Sequence, residues 1–161
     1  MKEADFNRCY ETALHFLDYR QRSEAELRNH LIYKRKYSAE AVKLVLDKLK
    51  QIGLVDDRAF AVNWMIDRVT YKQKSSAIIR QELLQKGIEP EIANLAIAGV
   101  NDEANAFIAG TKKARLLGNI SYLEFSRRLA SYLGRRGYSG EVVHKVISRL
   151  WDMVNKENQE K

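Results

Sequence analysis

The sequence predicts an all-α chain built as three tandem three-helix repeats, and three observations predict it. First, apolar residues recur at helical spacing. Tyr10, Ala13, Leu14 and Leu17 fall at i, i+3, i+4 and i+7, as do Val42, Val45, Leu46 and Leu49, and again Val143, Val146, Ile147 and Leu150. Each set makes one apolar stripe, and no stretch alternates with period two far enough to argue for a strand. Second, Gly53-Leu54-Val55-Asp56-Asp57 is echoed 46 residues later by Gly99-Val100-Asn101-Asp102-Glu103. Third, Lys86-Gly87-Ile88-Glu89-Pro90-Glu91-Ile92 reads like Arg136-Gly137-Tyr138-Ser139-Gly140-Glu141-Val142, and more loosely like Lys36-Tyr37-Ser38-Ala39-Glu40-Ala41-Val42. A period near 50 residues means repeated supersecondary units that present long surfaces.

The elements follow in order. The first repeat, 1–55, takes helices over 5–20, 23–35 and 38–52. Ser23-x-x-Glu26 is a capping box that opens the second, with the serine oxygen taking a free amide and the glutamate reaching back. Ser38 caps the third and Gly53 closes it, since glycine takes the left-handed conformation of a helix end. The second repeat, 56–101, takes helices over 57–72, 75–86 and 90–99. Asp56 or Asp57 caps the first of these, Gly87 closes the second, and Pro90 fits a first turn, where its missing N–H costs nothing. The third repeat, 102–161, takes helices over 102–117, 121–136 and 139–155. Ser121-x-x-Glu124 is a second capping box, and Ser139 caps the last helix. Lys156–Lys161 is a short polar tail. Pro90 is the only proline, so short turns are expected between units.

The net charge is +7, from 28 Lys and Arg against 21 Asp and Glu. It divides as +3 over residues 1–55, 0 over 56–101 and +4 over 102–161, so two basic ends flank a neutral middle. That balance favours an anionic partner, nucleic acid or an acidic protein face. Cys9 is the single cysteine, which rules out an intrachain disulfide and agrees with a reducing compartment. No apolar run follows Met1-Lys2-Glu3-Ala4-Asp5, and the longest uncharged stretch, 92–101, is too short to span a bilayer. A soluble cytoplasmic protein without membrane contact is expected.

Catalytic, cofactor and metal constellations are missing from the sequence. His15, His30 and His144 are scattered without metal-ligand spacing, and Cys9 has no neighbouring histidine. Gly134-Arg135-Arg136-Gly137 is too short for a phosphate loop. The acidic pair Asp56-Asp57 recurs as Asp102-Glu103, so helix capping explains it better than catalysis. What stands out instead is basic: Lys34-Arg35-Lys36, Lys112-Lys113-Ala114-Arg115, Arg127-Arg128 and Arg135-Arg136, with Tyr33, Tyr37, Tyr132 and Tyr138 interleaved. Basic and aromatic side chains together can hold phosphates and stack bases. Tyr37 and Tyr138 take the repeat position of Ile88, which reads as a core contact. Lys34–Lys36 and Arg135-Arg136 sit at equivalent turns, which would put them on one edge of a repeat array; a plain solvated face is the alternative.

These segments resemble the RecX family, regulatory proteins of the RecA recombinase, from about Ala13 to Trp151. The resemblance rests on Arg20-Gln21-Arg22-Ser23-Glu24-Ala25-Glu26-Leu27 with Leu31, and on Gly53-Leu54-Val55-Asp56-Asp57. It continues through Asp57-x-x-Phe60-Ala61-x-x-Trp64 with Arg68, and Ile79-Arg80-Gln81-Glu82-Leu83-x-x-Lys86-Gly87-Ile88, the most specific part. The third repeat contributes Leu129-x-x-x-Leu133 and Arg136-Gly137-Tyr138. Two departures concern turns: Ser75 stands where the family usually shows glycine, and Lys34-Arg35-Lys36-Tyr37 lacks the expected glycine and runs one residue longer.

The resemblance implies an elongated, curved all-α body and a non-enzymatic regulator, without cofactor. It implies binding in the groove of the RecA–single-stranded-DNA filament, which stops filament growth and lowers ATP hydrolysis, strand exchange and co-protease activity. On that reading the partners are the RecA filament and single-stranded DNA, directly or through the filament, and the chain is a monomer. The residues expected to meet RecA or DNA are Arg20, Arg22, Arg68, Lys72, Lys74, Arg80 and Lys86, then Lys34, Arg35, Lys36, Arg127, Arg128, Arg135 and Arg136. The rival is a helix-turn-helix-like DNA-binding protein that acts without RecA.

Overall fold

A computed structural model of the chain describes residues 3–160. Among these residues the chain is all helical, with no strand. The first repeat carries α1 (Glu3–Asp18), α2 (Glu24–Asn29), whose last turn continues as a π turn over His30–Lys34, and α3 (Ala39–Gln51). The second carries α4 (Asp57–Asp67), continued by a π turn over Arg68–Lys72, then α5 (Ser76–Gln85) and α6 (Pro90–Ile97). The third carries α7 (Asp102–Ala114), α8 (Tyr122–Arg135) and α9 (Gly140–Gln159). The expected caps are largely in place: the Ser23 hydroxyl accepts from the Glu26 amide while the Glu26 carboxylate accepts from the Ser23 amide, and Ser38, Ser121 and Ser139 each cap their helix. The expected box at Ser121 forms only by half, since the Glu124 carboxylate accepts from Arg127 and Arg128. The last helix runs four residues beyond the expected 155, as the charged, glycine-free segment through Gln159 continues the helix.

Two compact units divide the chain, residues 1–64 with 82–96, and residues 65–81 with 97–161. The core of the first unit is built on the predicted stripes. Cys9 and Ala13 of α1, Leu27 and Leu31 of α2 and its π turn, and Val42, Val45, Leu46 and Leu49 of α3 are buried together. The core of the second joins Ala106 and Ala109 of α7, Phe125, Leu129 and Leu133 of α8, and Val143, Val146, Ile147 and Leu150 of α9. Tyr138 belongs to that core at 5% exposure, as Ile88 is buried in the first unit at 2%. Both therefore pack inward.

The first π turn explains the extra residue of the first repeat. A backbone bond closes each turn between second and third helices. It spans five residues from Ile88 to the Leu83 carbonyl and from Tyr138 to Leu133, but six from Tyr37 to Leu31. A π turn widens a helix by one residue per turn, so the inserted residue is taken up between Leu31 and Tyr37. Leu31 and Tyr37 thereby keep the positions that Leu83 and Ile88 hold in the second repeat.

Each unit also contains one joint between consecutive repeats, and the two joints share a design. In the first unit, the Ser23 hydroxyl, fully buried, donates to the Lys86 carbonyl (2.5 Å), and the Glu24 amide donates to Asp57 Oδ1 (2.8 Å). In the second, the amide of the buried Ser75 donates to the Arg136 carbonyl (2.9 Å), and the Ser76 amide donates to Asp102 Oδ1 (2.8 Å). The Ser76 hydroxyl adds a bond to Asp102 Oδ2 (2.8 Å). The first amides of a helix have no intrahelical partner, so a carboxylate from the next repeat meets a real need.

This corrects the repeat register by one residue. Asp56 and Asn101 are the caps, accepting from the Ala59 and Ala104 amides, while Asp57 and Asp102 are the docking carboxylates. The acidic pair is therefore shared between capping and joining, where capping alone was expected.

Both joints demand glycine in the turn that docks. Gly87 (φ +76) and Gly137 (φ +88) are left-handed. A Cβ on Gly87 would overlap the Cβ of Ala25, and one on Gly137 would overlap the Ile78 side chain and come within 2.6 Å of Ser75 Oγ. In the first repeat Lys36 holds the corresponding left-handed position (φ 63) and is exposed. Lys36 is not pressed on another helix, so only the backbone penalty is felt there. Gly137→Ala should lower the urea midpoint by the equivalent of about 2–4 kcal/mol, from backbone strain and overpacking. Lys36→Gly should raise stability by about 0.5–1 kcal/mol. Equal and small effects at the two sites would contradict the joint.

Candidate functional site

The first unit gathers Arg22, Lys34, Arg35 and Lys36 around a ring stack. At the end of α2 the His30 imidazole reaches the last turn of α1 and lies flat on Phe16, with centroids 3.8 Å apart and planes within 3°. The Arg22 guanidinium lies 4.0 Å from the same Phe16 centroid. Two planar groups cannot share one face of a ring at those distances, so Arg22 and His30 sandwich Phe16. Arg35 Nε donates to His30 Nε2 (3.3 Å), which identifies Nε2 as the unprotonated nitrogen. Burial first, then the charges of Arg35, Lys34 and Arg22, hold the His30 imidazole below its usual range. Burial, and then neighbouring Arg20, also lowers the Arg22 guanidinium, against the opposite pull of Glu26.

Two clefts flank this stack. One, about 310 Å³, is lined by Thr12, His15, Tyr19 and Arg35 beside the stack itself. The other, about 520 Å³, is lined by Asn29, Tyr33 and Lys34 beside it. Tyr19 and Tyr33 are 74% and 67% exposed; the Tyr19 ring meets the His15 ring nearly at right angles, with centroids 5.7 Å apart, and is otherwise largely open to solvent. Among the described residues no carboxylate lies within ion-pair distance of Arg22, Lys34, Arg35 or Lys36.

Other predicted residues are engaged inside the chain. Arg20 forks onto Glu26 at 2.6 and 3.2 Å, and Lys86 reaches the same carboxylate at 3.1 Å while lying over the Trp64 ring. Glu26 is well buried, and its carboxyl is nonetheless held below the usual range: burial alone would raise it, and the bonds from Arg20, the Ser23 amide and Lys86 outweigh that. Arg20 and Lys86 are thus part of the first joint. Asp57, on the other side of that joint, is lifted above the ordinary carboxylate range by burial, against the pull of the Glu24 amide.

In the second unit Arg68 pairs with Asp67 (2.5 Å), and Arg80 is also engaged within the chain. Arg127 and Arg128 both bond to Glu124 at 2.6 Å, and Arg135 bonds to Ser131. Arg136 lies 3.7 Å from the Tyr132 ring centroid and donates to the Tyr132 carbonyl (3.3 Å), so Tyr132 is a platform for an arginine. The Tyr138 hydroxyl, whose pKa burial pushes up to about 12, donates to the Gln73 carbonyl (2.8 Å). That bond fixes the left-handed Gln73 between Lys72 and Lys74 against the turn of the third repeat. Lys72, Lys74 and Arg136 are therefore brought to one neighbourhood, which the sequence order does not reveal.

The remaining sequence candidates for chemistry are accounted for. Cys9 is fully buried and its thiol is pushed up to about 11 by burial, so it packs as a small apolar side chain. His15 pairs with Asp18 at the surface, and His144 is exposed. Among the described residues no three His, Cys, Asp or Glu side chains could hold a metal ion, and no helix is long and apolar enough to cross a membrane. Sequence reasoning missed Phe16, Tyr19 and His30. Their separation in the chain hides a contact that forms only once the chain is folded.

Comparison with known proteins matches all three repeats in order. Residues 9–49 match the first three-helix domain of RecX, 56–97 the second, and 101–147 the third. The chain is 35% identical over 138 residues to a regulatory protein RecX of Mycobacterium ulcerans (strain Agy99), covering 83% of this chain and 79% of the relative. It is 27% identical over 151 residues to that of Chlorobium phaeobacteroides (strain BS1), covering 94% of this chain and 99% of the relative. The fold is similar to the crystal structure of RecX from Lactobacillus salivarius, with a TM-score of 0.80 at 21% identity over 92% of this chain and 98% of that one.

The stack makes stability pH-dependent. In the fold His30 resists a proton that the unfolded chain takes up near pH 6.5, so the unfolded state binds more protons below that pH. The contribution is complete above about pH 6.5 and is lost as pH falls toward the lowered folded value. Melting temperature should fall between pH 7 and 5.5, above the carboxylate range, and should fall less in His30→Phe, which keeps a ring on Phe16. An identical slope in the variant would contradict this assignment.

Proposed function

The chain belongs to the RecX family of regulatory proteins, and from that premise we propose that it is a non-enzymatic regulator of the RecA–single-stranded-DNA filament. Bound to the filament, it limits extension and lowers ATP hydrolysis, strand exchange and co-protease activity, and so tunes recombinational repair and the SOS response. The observation that carries the reading is the match of all three domains, in order, over residues 9–147. The regulatory name borne by the relatives supports a non-catalytic role. The chain acts on this reading as a cytoplasmic monomer that meets RecA, and single-stranded DNA directly or through the filament.

The geometry divides the basic residues between two tasks. Arg20 and Lys86 are tied to Glu26, and Arg127 and Arg128 to Glu124, which supports structural roles. Arg22, Lys34, Arg35 and Lys36 in the first unit, and Lys72, Lys74 and Arg135 in the second, have no carboxylate partner among the described residues and are the side chains for partner contact.

Titrating the protein into RecA filaments with DNA in excess tests the reading. Single-strand-dependent ATP hydrolysis should fall at well below one molecule per RecA subunit, as expected for action on the filament. No inhibition, or inhibition only once free DNA is saturated, would overturn it in favour of a DNA-binding protein independent of RecA.

A further inference from the structure

The three turns between second and third helices are equivalent in sequence but not in use. The turn at Lys86-Gly87 and the turn at Arg136-Gly137 are consumed by the joints, with their carbonyls bonded to Ser23 and Ser75 and their glycines pressed on Ala25 and Ile78. The turn at Lys34-Arg35-Lys36 is exposed and, among the described residues, its carbonyls take no such bond from another repeat. Here the sequence replaces the docking glycine with lysine, inserts one residue and carries three cations in a row. A docking turn has become a free basic turn. Beside it lie the Arg22–Phe16–His30 sandwich and two exposed tyrosines, each on one of the flanking clefts.

We propose that this face of the first repeat is a binding site for single-stranded nucleic acid, with Arg22, Lys34, Arg35 and Lys36 taking phosphates and Tyr19 and Tyr33 offering ring faces to unstacked bases. The inference deepens the functional reading above and rests on it for the choice of a nucleic acid over an acidic protein. The physical grounds are local. Phe16 is covered on both faces and cannot stack a base, so it serves to hold Arg22 and His30 in place. The open rings are those of Tyr19 and Tyr33, about as exposed as a surface tyrosine can be. Base stacking on aromatic rings tolerates any sequence, and phosphate contacts supply a salt-dependent share of affinity. The clefts of about 310 and 520 Å³ are of the size that a nucleotide's base or sugar fills.

The test uses the full chain and a fluorescein-labelled oligothymidylate, without RecA, over a range of salt. Each phosphate contact adds about −0.7 to the slope of log K against log[salt] for a single strand. Lys34→Gln/Arg35→Gln/Lys36→Gly should therefore make the slope shallower by about 2, with helicity retained, since Lys36→Gly relieves a left-handed backbone. Lys112→Gln/Lys113→Gln/Arg115→Gln removes the same charge from the third repeat and should leave the slope within about 0.7 of the wild type. Tyr19→Leu/Tyr33→Leu should weaken binding about tenfold or more at unchanged slope, a readout that a merely electrostatic surface would not move. The inference is overturned if the first and second variants behave alike, if the tyrosine variant binds as the wild type does, or if oligoglutamate competes as well as the oligonucleotide. Failure of the wild type to bind the free oligonucleotide also overturns it, yet leaves regulation of RecA to be judged by the ATP hydrolysis titration.

Discussion

The structure depends on two amides that an isolated helix would leave without a partner. The first N–H of α2 and the first N–H of α5 each receive a carboxylate from the start of the next repeat, Asp57 and Asp102. A buried serine beside each one bonds to a backbone carbonyl of that repeat. A three-helix repeat of about 50 residues has little core of its own, so contacts with the next repeat are a large share of its stability. Unlike apolar packing, these bonds have direction. They set which turn meets which helix end, and each bond is worth about 1 kcal/mol net while an unmet buried serine would cost more. The glycines of the docking turns follow from the joint, because a Cβ there would strike the helix being capped.

Much of this was legible in the sequence. The helices of the described residues, most of their caps and the apolar stripes that enter the cores follow from 3.6-residue periodicity, from Ser and Asp before apolar runs, and from glycine after them, whereas the division into two compact units does not. Tyr37 and Tyr138 were readable as core-side residues because Ile88 takes the same position. What was not legible is the pairing of distant positions. Asp57 reads as a cap, since Asp-Asp before a helix looks the same whichever carboxylate caps and whichever reaches away. The one-residue slip in the repeat register follows from that ambiguity. Phe16 and His30 lie 14 residues apart on different helices and meet only in the fold, and the π turn that begins at His30 has no sequence signal comparable to a cap. Arg20, Lys86 and Arg136 read as surface cations, because the carboxylate, the tryptophan and the tyrosine that hold them are near only once the chain is folded.

The joints also sort the basic residues by consequence. Charge alone put 28 lysines and arginines on equal terms. Geometry separates those tied to Glu26 and Glu124 from those left facing solvent, and it separates the two turns that dock from the one that does not. At the start of α8, Tyr122 and Leu123 stand where the first repeat has Glu24 and Ala25; among the described residues no carboxylate is bonded to the Tyr122 amide, and Leu123 is 75% exposed.

Amide hydrogen exchange tests the joints most directly, because it reads the three equivalent N–H groups separately. The account predicts slow exchange at Glu24 and Ser76, whose amides are bonded to Asp57 and Asp102, and fast exchange at Tyr122, whose position is the same but whose amide has no carboxylate acceptor among the described residues. Fast exchange at all three would mean that the carboxylates do not hold the repeats together, and would contradict the account.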